Sequence, residues 1–185
     1  EKGDDLGGCQ QRLANQMSEY QFYEFQCLDQ PLTKQQMEEL RQISSRAQIT
    51  PGGFVNVYNH GDFGGDPEHL LEKYFDTFLY LANWGTRWLM LRVSAKLLDA
   101  RTVATYGAGD CLACSRHGDD LVVSLRSEDE ESFEWIEGDG WLAALAPIRA
   151  QLMRGDHRAL YLGWLLAVQG AEIDEHMLEP AVPPG

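Results

Sequence analysis

Positive charge is scarce in this chain: 15 lysines and arginines stand against 29 aspartates and glutamates, a formal net charge of −14 over 185 residues. Proteins that bind a phosphate backbone displace counterions with clustered Lys and Arg, and arginines such as Arg87, Arg92, Arg101, Arg116 and Arg126 are spread singly here. Nucleic acid is therefore not an expected partner, and neither is an anionic membrane surface. Cysteine is scarce as well. Cys9, Cys27, Cys111 and Cys114 are too few and too irregular for a disulfide-stapled secreted domain, so a reduced cytoplasmic setting is expected. Long apolar runs are missing too. The most hydrophobic stretch, "FDTFLYLANWGTRWLMLRV" at 75–93, contains Asp76, Arg87 and Arg92, and its longest uncharged run is half the roughly 20 residues that span a bilayer. The opening "EKGDDLGGCQQRLANQ" lacks the apolar centre of a secretion signal. "MSEYQFYEF" from Met17 reads as a natural start, with residues 1–16 an upstream extension.

Against these absences stand 44% hydrophobic residues and five tryptophans, the composition of a packed globule. In "YQFYEFQCL", Tyr23, Phe25 and Cys27 alternate with Phe22, Glu24 and Gln26, which predicts a strand. Thr33 with Gln36 makes a capping box for a helix whose buried stripe is Met37, Leu40 and Ile43. After "ITPGG", "FVNVYN" reads as a strand. Asp66 as N-cap, Pro67 at the first position and Glu68 in the first turn then start a short helix that buries Leu70, Leu71, Tyr74 and Phe75.

"TFLYLANW" and "RWLMLRV" read as antiparallel strands joined near Gly85, with Phe78 and Tyr80 opposing Leu79 and Leu81, and Trp88 and Met90 opposing Leu89 and Leu91. A short helix follows, and then a hairpin around "HGDD" with Leu112 and Cys114 on one arm and Leu121, Val123 and Leu125 on the other. Residues 128–139 form an acidic linker. The period then shifts to two helices over 140–170, with Pro147 expected to kink the first or split off its first turn, and "RGD" closing the helical hairpin as a C-cap glycine and an N-cap aspartate. Residues 171–185 are acidic and proline-rich, as in a linker to a further region. The expected fold is α+β: a mixed, mainly antiparallel sheet of five or six strands over 17–127, with flanking helices and a C-terminal helical hairpin.

The blocks "YEFQ", "SSRAQIT", "FVNVYN", "GDFGGDP" and "YFDTFLYLANWGT" together resemble an uncharacterised family of bacterial proteins that carry them in the same order, from about Tyr20 onward. "LYLANWGT" is the most specific block. The resemblance implies a bacterial, cytoplasmic protein with more chain beyond the proline-rich stretch, and it brings no activity with it.

No spacing of residues specifies a reaction. Cys111 and Cys114 are a lone C-x-x-C without a second ligand pair, and read as structural cysteines rather than zinc ligands. In "HGDFGGDPEH", His60, Asp62, Asp66 and His69 offer metal-binding atoms in no recognised spacing. A structural loop, with Gly61, Gly64 and Gly65 at positive φ, is the simpler reading. Ser44, Ser45 and Ser115 lack a nucleophile-elbow context. Neither a metal nor a cofactor is expected. If the strands carrying Asn56 and Tyr58 lie beside the one ending at Asn83, then Asn56, Tyr58, His60, Asp62 and Asn83 line a pocket between 56–62 and 82–86; otherwise Asn83 caps local backbone. Trp84 and Trp88, flanking the Gly85 turn, are candidate interface anchors. The expected role is non-enzymatic, an adaptor or scaffold domain with a protein partner. The alternative is a small-ligand binder or enzyme using that pocket.

Overall fold

A computed structural model describes residues 19–107, 109–129 and 137–170. The residues 1–18, most of the acidic linker and the proline-rich end lie outside the described residues. Among the described residues seven strands form one sheet: β1 (Gln21–Gln26), β2 (Gln48–Thr50), β3 (Gly53–Tyr58), β4 (Thr77–Ala82), β5 (Thr86–Ser94), β6 (Leu112–His117) and β7 (Asp120–Glu128). Their order is β2-β3-β1-β4-β5-β7-β6, and each neighbouring pair is antiparallel. The fold is α+β as expected, with no parallel pair among the described strands and one strand more than the alternation predicts. The additional strand, β2, is three residues long and pairs with β3 across Pro51 and Gly52, too short for its period to be read.

Helices cover both faces. On one lie α1 (Lys34–Ile43) and α2 (Pro67–Tyr74), which start at the caps their sequences specify. The Thr33 side chain accepts from the Gln36 amide in a complete capping box, and Asp66 accepts from the amides of Glu68 and His69. Beneath them Phe25, Phe54, Phe75 and Phe78 are fully buried with Leu40, Leu71 and Met90. The Phe25 ring lies tilted at 4.5 Å from Phe78 and 4.9 Å from Phe75, separations at which aromatic pairs add to plain burial.

The other face is covered by α3 (Ala100–Tyr106), α4 (Trp141–Leu145), α5 (Pro147–Met153) and α6 (Arg158–Gly170). Pro147 lacks an amide to continue the ladder, so α4 and α5 are separate helices, the second of the two outcomes its position allows. Gly155, at φ 85°, ends α5, and Asp156 accepts from the Arg158 amide at the start of α6, so "RGD" is a helix junction. Leu142, Leu152, Leu160, Trp164 and Ala167 from these helices share one core with Phe22, Leu79, Leu91, Val93 and Val123 of the sheet. Gly163 permits the close approach of α6: a Cβ there would sit 2.6 Å from Leu125.

Candidate functional site

The strand order decides how the residues singled out from the sequence meet. β1 lies between β3 and β4, so Asn56 and Tyr58 are not neighbours of Asn83, and Gln21 and Tyr23 occupy the gap. Gln21 is buried, and its side chain makes four hydrogen bonds among the described residues. Its amide donates to the Gly61 carbonyl at 3.1 Å and to Asp62 at 3.4 Å, and its Oε1 accepts from the hydroxyls of Tyr23 at 2.7 Å and Tyr80 at 3.2 Å. Burial, with Tyr80 close by, holds the Tyr23 hydroxyl protonated far above the usual tyrosine range, and burial raises Tyr80 too, so both remain donors. Replacing Gln21 with leucine leaves the Tyr23 hydroxyl without this acceptor. The expected cost is about 1–3 kcal/mol, read as a lower denaturation midpoint, with Tyr23→Phe in the same background restoring part of it.

The remaining candidates spread out from this network. Asn56 is buried and donates to Ser44 Oγ at 2.7 Å, Tyr58 packs edge-on to Tyr23 at 5.8 Å, and His60 and Asp62 are exposed. Of the three loop glycines expected at positive φ, only Gly61 adopts it; Gly65 instead lies close under Phe63 and Ile43. Asn83 bonds across strands: its Oδ1 accepts from the Tyr20 amide at 3.1 Å and its own amide donates to Tyr20 O, which prolongs the β1–β4 pairing. Trp84 is half-buried at the turn. Trp88, also half-buried, donates to Ser124 at 2.7 Å, meets Phe78 edge-on at 5.3 Å and lies under the Arg126 guanidinium. Cys111, in a single 3-10 turn, and Cys114, on β6, are half-buried free thiols whose pKa values burial raises, which disfavours the reactive thiolate.

A second group is charged. Arg149 of α5, only 7% exposed, forks onto both Asp29 oxygens at 2.8 and 2.5 Å, lies 3.4 Å from Asp76 and donates through Nε to the Arg92 carbonyl. Asp76, 2% exposed, accepts from the amides of Leu28 and Asp29 and from Arg92 at 2.7 Å. The bond to Arg149 holds the Asp29 carboxyl below its usual range. Asp29, Asp76 and Arg92, with Thr33, Gln36 and Lys73, line a cavity of about 430 Å³. Asp76 and Arg92 pair with each other, Asp29 with Arg149 and Lys73 with Glu39, while Arg92 Nε is buried without a hydrogen-bond partner among the described residues.

A third group joins α2 to the edge strand β6. His117 Nδ1 contacts Glu72, and its Nε2 lies 2.9 Å from Ser115 Oγ and 3.4 Å from Glu68. The Ser115 hydroxyl donates to Glu68 at 2.6 Å. All four side chains are partly exposed.

Gln21, Arg149 and this last group escape a reading of the sequence in different ways. Arg149 carries a signal, a lone cation on the apolar stripe of Leu145, Ile148 and Leu152. Ser115 with His117, two apart on a strand, and Glu68 with Glu72, four apart on a helix, are each visible as same-face pairs. Their meeting depends on tertiary structure. Comparison of the chain with protein-family models, curated proteins and solved structures found no match.

Proposed function

We propose that the chain is a protein-interaction domain, an adaptor or scaffold of a bacterial cytoplasmic assembly, and that it docks its partner on the outer face of α6. One observation carries this reading. Residues 159–168, "ALYLGWLLAV", contain no charge, and while Leu160, Gly163, Trp164 and Ala167 fill the core, Leu162 and Leu166 point outward at 59% and 43% exposure. A helix apolar on all sides is ordinarily buried on all sides. Two leucines one turn apart fit the anchor spacing of an amphipathic helix, and the net charge of −14 favours one with basic flanks. Trp84 and Trp88 support this less well, since Trp88 is committed to Phe78 and Ser124. The small-ligand or enzyme alternative draws little support from the 56–62 and 82–86 segments, because β1 separates them and Gln21 fills the space between.

The test is recovery of the full-length protein, tagged at native expression, with and without Leu162→Asp and Leu166→Asp. The expected result is a near-stoichiometric partner, bound through a basic amphipathic helix, that is lost in the double variant while circular dichroism and Tm stay unchanged. Recovery of a lone species, of a homodimer, or of the same partner with both variants would refute the reading.

A further inference from the structure

We propose that Glu68, Glu72 and His117, with Ser115 beside them, form a binding site for a divalent transition-metal ion of the zinc class. This goes beyond the docking face on α6 and does not depend on it. One atom each from Glu68, Glu72 and His117 lies within 4.8 Å of the others. Tetrahedral zinc with bonds of about 2.0–2.1 Å sets its ligands roughly 3.3 Å apart, and because an imidazole gives one ion one nitrogen, Glu68 and Glu72 close the set by turning onto the same ring nitrogen of His117. Ser115 Oγ, 2.6 Å from Glu68 and 2.9 Å from His117 Nε2, offers a further oxygen to an ion held on that nitrogen.

Two rigid elements hold the donors in place. Asp66 caps α2 and Pro67 opens it, while buried Leu70, Leu71 and Tyr74 fix its rotation, so Glu68 and Glu72, one turn apart, both turn towards β6. Ser115 and His117 share one face of β6, held by register with Val122 and Asp120 of β7. Among the described residues the contacts of the two carboxylates run to Ser115 and His117, with no lysine or arginine to neutralise them. A dication replaces the missing positive charge.

The donor types choose the ion. An imidazole nitrogen beside carboxylate oxygens suits zinc and its first-row neighbours, whereas magnesium and calcium take oxygen ligands and more of them. The same atoms resemble a Ser-His-Glu arrangement for acyl transfer, but the Glu68 carboxylate against Ser115 Oγ would repel the oxyanion such chemistry creates.

The chelator-treated full chain is titrated calorimetrically with zinc chloride, with magnesium chloride in parallel, and its thermal unfolding is followed with each. Saturable binding of one zinc is expected, with a rise in Tm that magnesium does not produce. Ligand loss in His117→Ala should weaken zinc binding at least tenfold, and Glu72→Gln, which keeps the shape and hydrogen bonding of the side chain, should do the same if His117→Ala fails to fold. Absence of saturable zinc binding, undiminished affinity in a folded variant, or covalent labelling of Ser115 by a fluorophosphonate would each overturn the proposal.

Discussion

Gly85→Ala is expected to destabilise the protein by about 2–5 kcal/mol, the sum of a left-handed backbone without glycine and an overpacked contact. Gly85 has φ 95°, and a Cβ built on it would lie 1.8 Å from the Asp129 carbonyl oxygen. Neither backbone has room to yield. The Asp129 amide donates to Gly85 O at 3.2 Å, the Gly85 amide donates to Ala82 O, and the next pair along, Thr86 with Glu128, is already in the β5–β7 ladder. The turn therefore ties the β4–β5 hairpin to the end of β7. Gly118→Ala in the β6–β7 turn is the control: its φ is 61°, but nothing lies within 4 Å of its added Cβ, so it should cost only the backbone term of about 1–2 kcal/mol. Urea denaturation measures both. A Gly85→Ala midpoint no lower than that of Gly118→Ala would show that the approach to Asp129 is not tight.

What the sequence made legible was local chemistry. Thr33, Asp66 and Pro67 place helix starts through side-chain and ring geometry acting over three or four residues. The two-residue period of a strand assigns each side chain in 77–93 to a face, Phe78 and Met90 under α1 and α2, Leu79 and Leu91 under the C-terminal helices. Strand order is different in kind. Nothing near β1 states that it inserts between β3 and β4, and that insertion separates Tyr58 from Asn83 and brings Gln21 against Tyr80. Asn83 illustrates the same limit: as a polar residue before a turn it reads as a local cap, yet its partner is Tyr20, 63 positions away. Ser115 and His117 likewise gain meaning only once α2 lies against β6.

Asp76→Ala should be the most damaging substitution in the charged group, at about 3–5 kcal/mol, because it removes one member of a buried ionic network and strands the rest. Asp76 accepts from the Leu28 and Asp29 amides at 2.6 and 2.9 Å and from Arg92 at 2.7 Å, and lies 3.4 Å from Arg149. Its loss unties the chain leaving β1 and leaves two guanidinium groups sharing less negative charge, with Arg149 out of reach of water to compensate. Arg149 also fastens α5 to the sheet through the Arg92 carbonyl, so the damage extends to the docking of the helical layer. If the cost arises from the stranded charge, then Arg149→Met, which fills similar volume without a charge, should suppress part of it. The double variant Asp76→Ala with Arg149→Met is expected to be more stable than the sum of the two single losses by about 0.5–3 kcal/mol, as found for residues in one polar network. Denaturation of the wild type and the three variants closes the cycle. Additivity within about 0.5 kcal/mol would mean that Asp76 acts through the Leu28 and Asp29 amides and Arg92, and that the 3.4 Å approach to Arg149 carries no energy.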